Sequence, residues 1–331
     1  MRFRAPPLLA ALNFVAASVY IVRSLALDLP LELFPDSWRS FLIRWRRSRR
    51  APKRASVLKS TSEQSKREDP FKSNLPVADS SFKAFPALND CPDAATSFGL
   101  TSRRRLDSPE DPLLAGDGLQ ARLSRELAAR KAVDRKEFFE AWEFFAQVRE
   151  HLGDRKSPVV LVDAAGGHGL LGVICACLDR HRFSRVVIAD RRKPASHAAI
   201  SAAAKAVAPW VEELVEYVEE DFAGVLPAGC VVVSIHGCKS LTDDILKAAI
   251  AARARTIAVM PCCYGHSFAA EQAPATLRQH LGVAMAADVQ RTCRLENDGY
   301  SVQWRFVPSQ VTPMNRILLA RQRIASGGKN K

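Results

Sequence analysis

Between about residues 119 and 323 the apolar positions follow two periods in alternation. Helical spacing covers 119–132 and 134–152, and the second of these, DRKEFFEAWEFFAQVREHL, sets Phe138, Trp142, Phe145 and Val148 on one stripe. Short apolar runs follow at 159–163 (VVLVD), 185–190 (RVVIAD), 214–221 (LVEYVEED), 230–236 (CVVVSIH) and 255–261 (RTIAVMP), with helical patterns over 168–181, 194–208 and 241–253. Strands that alternate with helices predict right-handed crossovers and a parallel sheet covered on both faces. After a helix over about 283–295, Tyr300 to Val307 alternates as a strand and NRILLARQR supplies another, so an antiparallel pair is expected to close the sheet.

The front of the chain reads differently. Residues 1–36 hold an apolar run from Pro6 to Val22, followed by Arg23 and the small-residue pattern Ser24, Leu25, Ala26. This suits a targeting segment, cleaved or retained as an anchor. As an anchor, with the basic run 44–54 (RWRRSRRAPKR) behind it, it would leave the catalytic part in the cytosol; as a cleaved leader, it would send that part into an organelle. Residues 37–118, basic at first and then rich in Pro and Ser, show neither period and are expected to be a disordered linker. Within it Phe71, Phe82, Phe85 and Phe98 are single anchors at most. The globular part is expected to be 119–331.

Charge refines this division. The whole chain carries +13, of which +10 falls in 37–67 and +7 in 119–331, set against −4 in 68–118 and 0 in 1–36. High pI is therefore mainly a property of the front segment, although +7 leaves a polyanionic acceptor open. The eight cysteines form no paired framework, which favours reduced thiols over a secreted disulfide scaffold.

The chemistry gathers where the runs end, since ligands of open parallel sheets bind at the carboxyl ends of the strands. LVDAAGGHGLLG contains G-x-G-x-x-G from Gly167, as in dinucleotide-binding domains, and also an acid followed by a glycine loop, as in S-adenosylmethionine enzymes. Asp163 before the loop would repel a pyrophosphate but could hold a cationic amino group, while Ala165, Gly166, Gly167 and Gly169 would let the backbone approach the ligand. Asp190 could accept from ribose hydroxyls, and Asp221 with Phe222 could take an adenine. Three acids at successive strand ends, with an antiparallel close where a dinucleotide domain usually adds another βαβ unit, favour S-adenosylmethionine over NAD(P).

The segments DAAGGHG, IHGCKSLTD (235–243), MPCCYGH (260–266) and VTPMNRILLA (311–320) resemble those of a methyltransferase-domain family that contains the methyltransferase-like proteins of eukaryotes and many bacterial relatives. That family shows His-x-Cys followed by Thr-Asp after the fourth strand and Pro-Cys-Cys after the fifth. The resemblance spans about 134–323. Here Ala165 replaces a usual glycine and Lys239 stands where an acid or glycine is common. The resemblance implies a Rossmann-like α/β class I fold with a mostly parallel seven-stranded sheet, S-adenosylmethionine as cofactor, and an acceptor in the range of RNA-modifying relatives. Arg191, Arg192 and Lys193 are candidate phosphate contacts.

His236 and Cys238 are expected at the pocket floor, His236 also beside the cofactor, and Cys262 and Tyr264 on the acceptor side. For the thiols the expectation is packing beneath a ligand, ahead of a metal set drawn from His236, Cys238, Cys262, Cys263 and His266 or a cysteine nucleophile. Two competing functions stay open. They are a non-catalytic, membrane-tethered binding module with this fold and an NAD(P)-dependent oxidoreductase.

Overall fold

A computed structural model describes residues 80–323. The expected targeting segment 1–36, with its apolar stretch 6–22, the basic run 44–54 and the linker as far as residue 79 lie outside the described residues. Among the described residues no helix is long and apolar enough to cross a membrane.

The helices are α1 (Ala94–Ser97), α2 (Leu119–Ala129), α3 (Arg135–Val148), α4 (Leu170–Leu178), α5 (Ser196–Val207), α6 (Val211–Leu214), α7 (Leu241–Ala251), α8 (Phe268–Gln272) and α9 (Ala275–Asn297). The strands are β1 (Val159–Ala164), β2 (Phe183–Ala189), β3 (Val215–Val218), β4 (Val231–Ile235), β5 (Thr256–Met260), β6 (Tyr300–Phe306) and β7 (Arg316–Gln322). They form one sheet in the order β3-β2-β1-β4-β5-β7-β6. The first five pair in parallel, and β7 is antiparallel to both β5 and β6. This is the expected mostly parallel seven-stranded sheet with an antiparallel C-terminal close. Its strand order reverses between β1 and β4, where the carboxyl ends of neighbouring strands open a crevice.

The central strands are apolar throughout because both faces are covered. Leu161, Val186, Val233 and Ala258 face a core built with α3 and α4, whereas Val162, Val187, Val232 and Ile257 face a second core that includes Leu246 and Leu295. Helix α3 starts at Asp134, whose carboxylate accepts the Glu137 N–H at 2.8 Å, and its Phe138, Phe139, Trp142, Phe144 and Phe145 are all buried. Helix α9 breaks at Gly282, whose φ of 75° is open to glycine, so the helical spacing read from 283 onward is only its second half.

The linker expectation fails over 80–118. Phe82, Phe85, Leu88, Leu100, Leu106 and Leu114 are buried in the same core as Trp142. The Phe85 ring stands 5.7 Å from Phe138 and 5.1 Å from Phe139, edge-on to the latter. Glu143 of α3 ties this stretch down from below, accepting the backbone N–H groups of Lys83 (2.9 Å), Ala84 (3.1 Å) and Phe85 (3.2 Å). Sequence periodicity misses the segment because it docks irregular backbone through isolated side chains, leaving no 3.6 or 2 repeat to detect.

A docked segment and a linker differ in what they cost to change. Phe85→Ala is expected to lower unfolding free energy by about 3–5 kcal/mol, while Lys83→Ala at an exposed neighbour changes it by no more than about 0.5 kcal/mol. Urea unfolding of the two variants measures this, and equal midpoints would mean the stretch is not part of the core.

Candidate functional site

The carboxyl ends of β1, β2, β4 and β5 carry the polar groups, and the backbone there is under strain. Ala165 (φ 53°), His236 (68°), Lys239 (57°) and His266 (61°) all adopt left-handed conformations that side chains disfavour. The value at Ala165 is one that glycine adopts without the strain a Cβ brings. Beyond β1 the loop packs so closely on the sheet that a Cβ on Gly169 would come within 2.6 Å of Ile188 Cδ1. At Gly167, in contrast, an added Cβ would meet nothing within 4 Å, so the loop turns an open face outward at this residue.

Side chains from four elements hold the loop. The Gly167 N–H donates to Asp190 Oδ2 at 2.9 Å, and Tyr217 OH donates to the Gly167 carbonyl at 2.7 Å. His168 Nε2 lies 2.9 Å from Glu137 Oε2, and His197 Nδ1 lies 3.0 Å from the His168 carbonyl. The His168 hydrogen bond holds the Glu137 carboxyl below the ordinary range, against the opposing effect of burial. One helical turn on, buried Glu140 meets His236 Nε2 at 3.0 Å and pairs with Lys136. Burial alone would raise the Glu140 carboxyl, but His236 and Lys136 outweigh it and keep it lowered.

The acids expected around one ligand have separate surroundings. Asp163 is only 1% exposed, and its Oδ2 accepts the Gly172 N–H at 3.0 Å, so it braces the first turn of α4 from beneath rather than reaching out to a ligand. Asp190 is half-buried beside Gly167, with Oδ1 making one long contact, 3.4 Å from the Arg192 N–H. Asp221 is exposed, caps the turn at Phe222 by accepting the Ala223 N–H at 3.1 Å, and pairs with Arg191 at 2.9 Å. Phe222 is buried in the core and presents no free ring. Of the expected cofactor set, Asp190 and His236 with Ala165, Gly166 and Gly167 therefore stand partly open at the strand ends, whereas Asp163, Gly169 and Phe222 are enclosed.

The acceptor side needs a similar correction. Tyr264 is buried, its hydroxyl donating to Asp288 Oδ2 at 2.7 Å. Asp288 also takes Arg316 Nε at 2.8 Å and Arg291 Nη1 at 3.1 Å, and Arg291 Nε reaches Asp243 Oδ1 at 2.8 Å. Tyr264 and Asp243 thus belong to a buried ion network that joins β7, α7 and α9 to the loop after β5. Thr242 Oγ1 donates to the Gly237 carbonyl at 2.5 Å and fixes the turn after β4. Cys238, Cys262 and Cys263 converge where the two turns meet, with His266 exposed beyond them. A hollow of about 410 Å³ lined by Phe85, Pro112, Leu113 and Gln120 lies in the N-terminal layer and involves none of these residues.

Asp163 offers a test by pH. Burial pushes its carboxyl up to about 7, opposed by the Gly172 N–H and reinforced by the charge of Asp190. An acid whose pKa rises on folding favours the fold while protonated, so its contribution declines as pH rises from about 4 to 7. Asp163→Asn keeps an acceptor for Gly172 and is expected to match the wild type near pH 4 and exceed it near pH 8 in urea midpoint. Glu143, which burial also raises to about 7, contributes in the same direction to both proteins, so the difference between the two profiles isolates Asp163. Parallel profiles for the two proteins would mean that Asp163 is ionised within the fold.

Comparison with known proteins bears on this site. Residues 135–269 match a family model described as a methyltransferase domain. No curated protein is similar enough in sequence to count as a relative. Solved structures with some likeness include an rRNA methylase from Streptococcus thermophilus (12% identity, TM-score 0.36, covering 52% of this chain and 90% of that one). Others are the B. subtilis tRNA methyltransferase TrmK (12%, 0.36, 53% and 64%) and magnesium protoporphyrin IX methyltransferase from Synechocystis PCC 6803 with bound S-adenosylmethionine (15%, 0.34, 74% and 100%). These likenesses are too distant to bear on the substrate. Residues 135–269 thus match a methyltransferase-domain model, and the strand order with its antiparallel β7 is the Rossmann-like α/β arrangement expected of the class I fold.

Proposed function

We propose that the protein is an S-adenosylmethionine-dependent methyltransferase acting on RNA. The observation that carries the cofactor is the β1 loop, whose Gly167 opens to free space while its N–H is fixed by Asp190 at the end of the neighbouring strand. That residue set suits the donor, because a half-buried carboxylate with spare acceptor capacity matches a ribose diol and a glycine-rich turn admits the methionine part. The donor supplies an activated methyl group on a sulfonium, whose transfer mainly requires alignment.

The chain's own residues provide that alignment. Asp190 orients the ribose side and holds the loop, Tyr217 and His168 keep the loop from relaxing, and Glu140 fixes the His236 imidazole at the end of β4. His236 is thereby set between the cofactor side and the acceptor side. For RNA the support is the likeness of the strand-end motifs to a family with RNA-modifying members. Exposed Arg191, Arg192 and Lys193 beyond β2 add to it, with the Lys193 ammonium 5.1 Å over the Tyr217 ring.

Calorimetry on the full chain should register S-adenosylmethionine and not NAD(P), and Asp190→Ala should weaken the donor at least about tenfold, since a hydrogen bond to a carboxylate is worth roughly 1.5–3 kcal/mol. Labelled methyl should then pass from donor to fractionated RNA. Donor binding without RNA labelling, but with labelling of protein or small molecules from the same extract, rejects RNA as acceptor. Absence of donor binding altogether favours a binding module.

A further inference from the structure

Sequence spacing counts against two adjacent cysteines serving one metal, yet the turns after β4 and β5 bring three sulfurs together. Cys238 Sγ lies 3.3 Å from Cys262 Sγ and 3.6 Å from Cys263 Sγ, and the adjacent pair Cys262 and Cys263 are 3.6 Å apart. Backbone bonds fix this triangle. The Lys239 N–H donates to the Cys263 carbonyl at 3.1 Å and the His236 N–H to the Met260 carbonyl at 3.3 Å, stitching one turn to the other. Left-handed Lys239 and the Thr242 bond to Gly237 hold the first turn, and buried Tyr264 anchors the second.

We propose that Cys238, Cys262 and Cys263 form a zinc site with three thiolate ligands and an open fourth position. Thiolates 2.3 Å from a tetrahedral zinc stand about 3.8 Å apart, so the observed triangle needs to widen by only a few tenths of an ångström. All three sulfurs fall within 4.8 Å of one another, and among the described residues no His, Asp or Glu joins the group. The fourth position faces outward, since Cys238 and Cys263 are exposed, and would take water or a small donor from solvent. Zinc binding replaces three S–H bonds by three Zn–S bonds and releases three protons. The resulting −1 charge lies beside Lys239, the next residue along the chain.

The site stands on geometry alone and does not depend on the methyl-transfer reading.

The full chain, purified under reducing conditions and dialysed, is expected to retain about one zinc per molecule by elemental analysis. Cys238→Ser and Cys262→Ser should each lose most of it, whereas Cys91→Ser, remote from the cluster, keeps it. Cobalt substitution gives a readout independent of activity, because the thiolate-to-cobalt absorption scales with thiolate number and should fall in each cluster variant whose circular dichroism matches the wild type. If a serine variant misfolds, the wild type still decides the matter through its cobalt spectrum. Reduced wild type that takes up no stoichiometric zinc, a Cys238–Cys262 disulfide that regains none on reduction, or zinc content untouched by the serine substitutions would each overturn the proposal.

Discussion

One slanting row of carboxylates on α3 underlies the arrangement at the strand ends. Glu137, Glu140 and Glu143 follow at three-residue steps, so they are neighbours along the helix surface. Each grips a different part of the chain: Glu137 the loop after β1 through His168, Glu140 the turn after β4 through His236, and Glu143 the backbone of residues 83–85. The aromatic side chains of the same helix are sunk in the core, so these three grips share one rigid support. A helix that looks from its sequence like simple packing material is therefore what sets the two halves of the candidate site relative to each other.

The buried network at the far side does comparable work for the loop after β5. Asp288 accepts from Tyr264, Arg291 and Arg316, and Arg291 passes the link to Asp243. Enclosed charges of this kind are tolerated because nearly every lone pair finds a donor, and removing one partner would strand the others. The Thr-Asp step after His-x-Cys thus has a mechanical meaning: Thr242 ties down the turn carrying Cys238, and Asp243 ties that helix to α9. Strain at His236, Lys239 and His266 is sustained by these anchors.

Much of the architecture was legible because burial on both sheet faces imposes continuous apolar runs, and β1, β2, β4 and β5 fall within those runs. The strand ends were legible as locations, and Asp190 and Gly167 meet as the β1 and β2 registers require. What each side chain does there was harder to read. Asp163 and Tyr264 carry functional groups, yet their partners come from Gly172, nine residues on, and from Asp288, in another element. Phe85 and its neighbours gave no signal because docking by isolated anchors has no period. The sulfur triangle depends on two left-handed turns, and no spacing rule encodes the meeting of two loops.

The position of β7 has a consequence for how the chain is made. It is the last strand in sequence but lies inside the sheet, between β5 and β6, so five parallel strands precede the one that seals them. Until Arg316–Gln322 arrives, the β5 border presents unsatisfied amides and carbonyls next to an apolar surface, a natural template for another growing polypeptide. Synthesis therefore passes through a stretch in which most of the domain exists and its seam is still raw. Cellular holding factors would matter most in that interval.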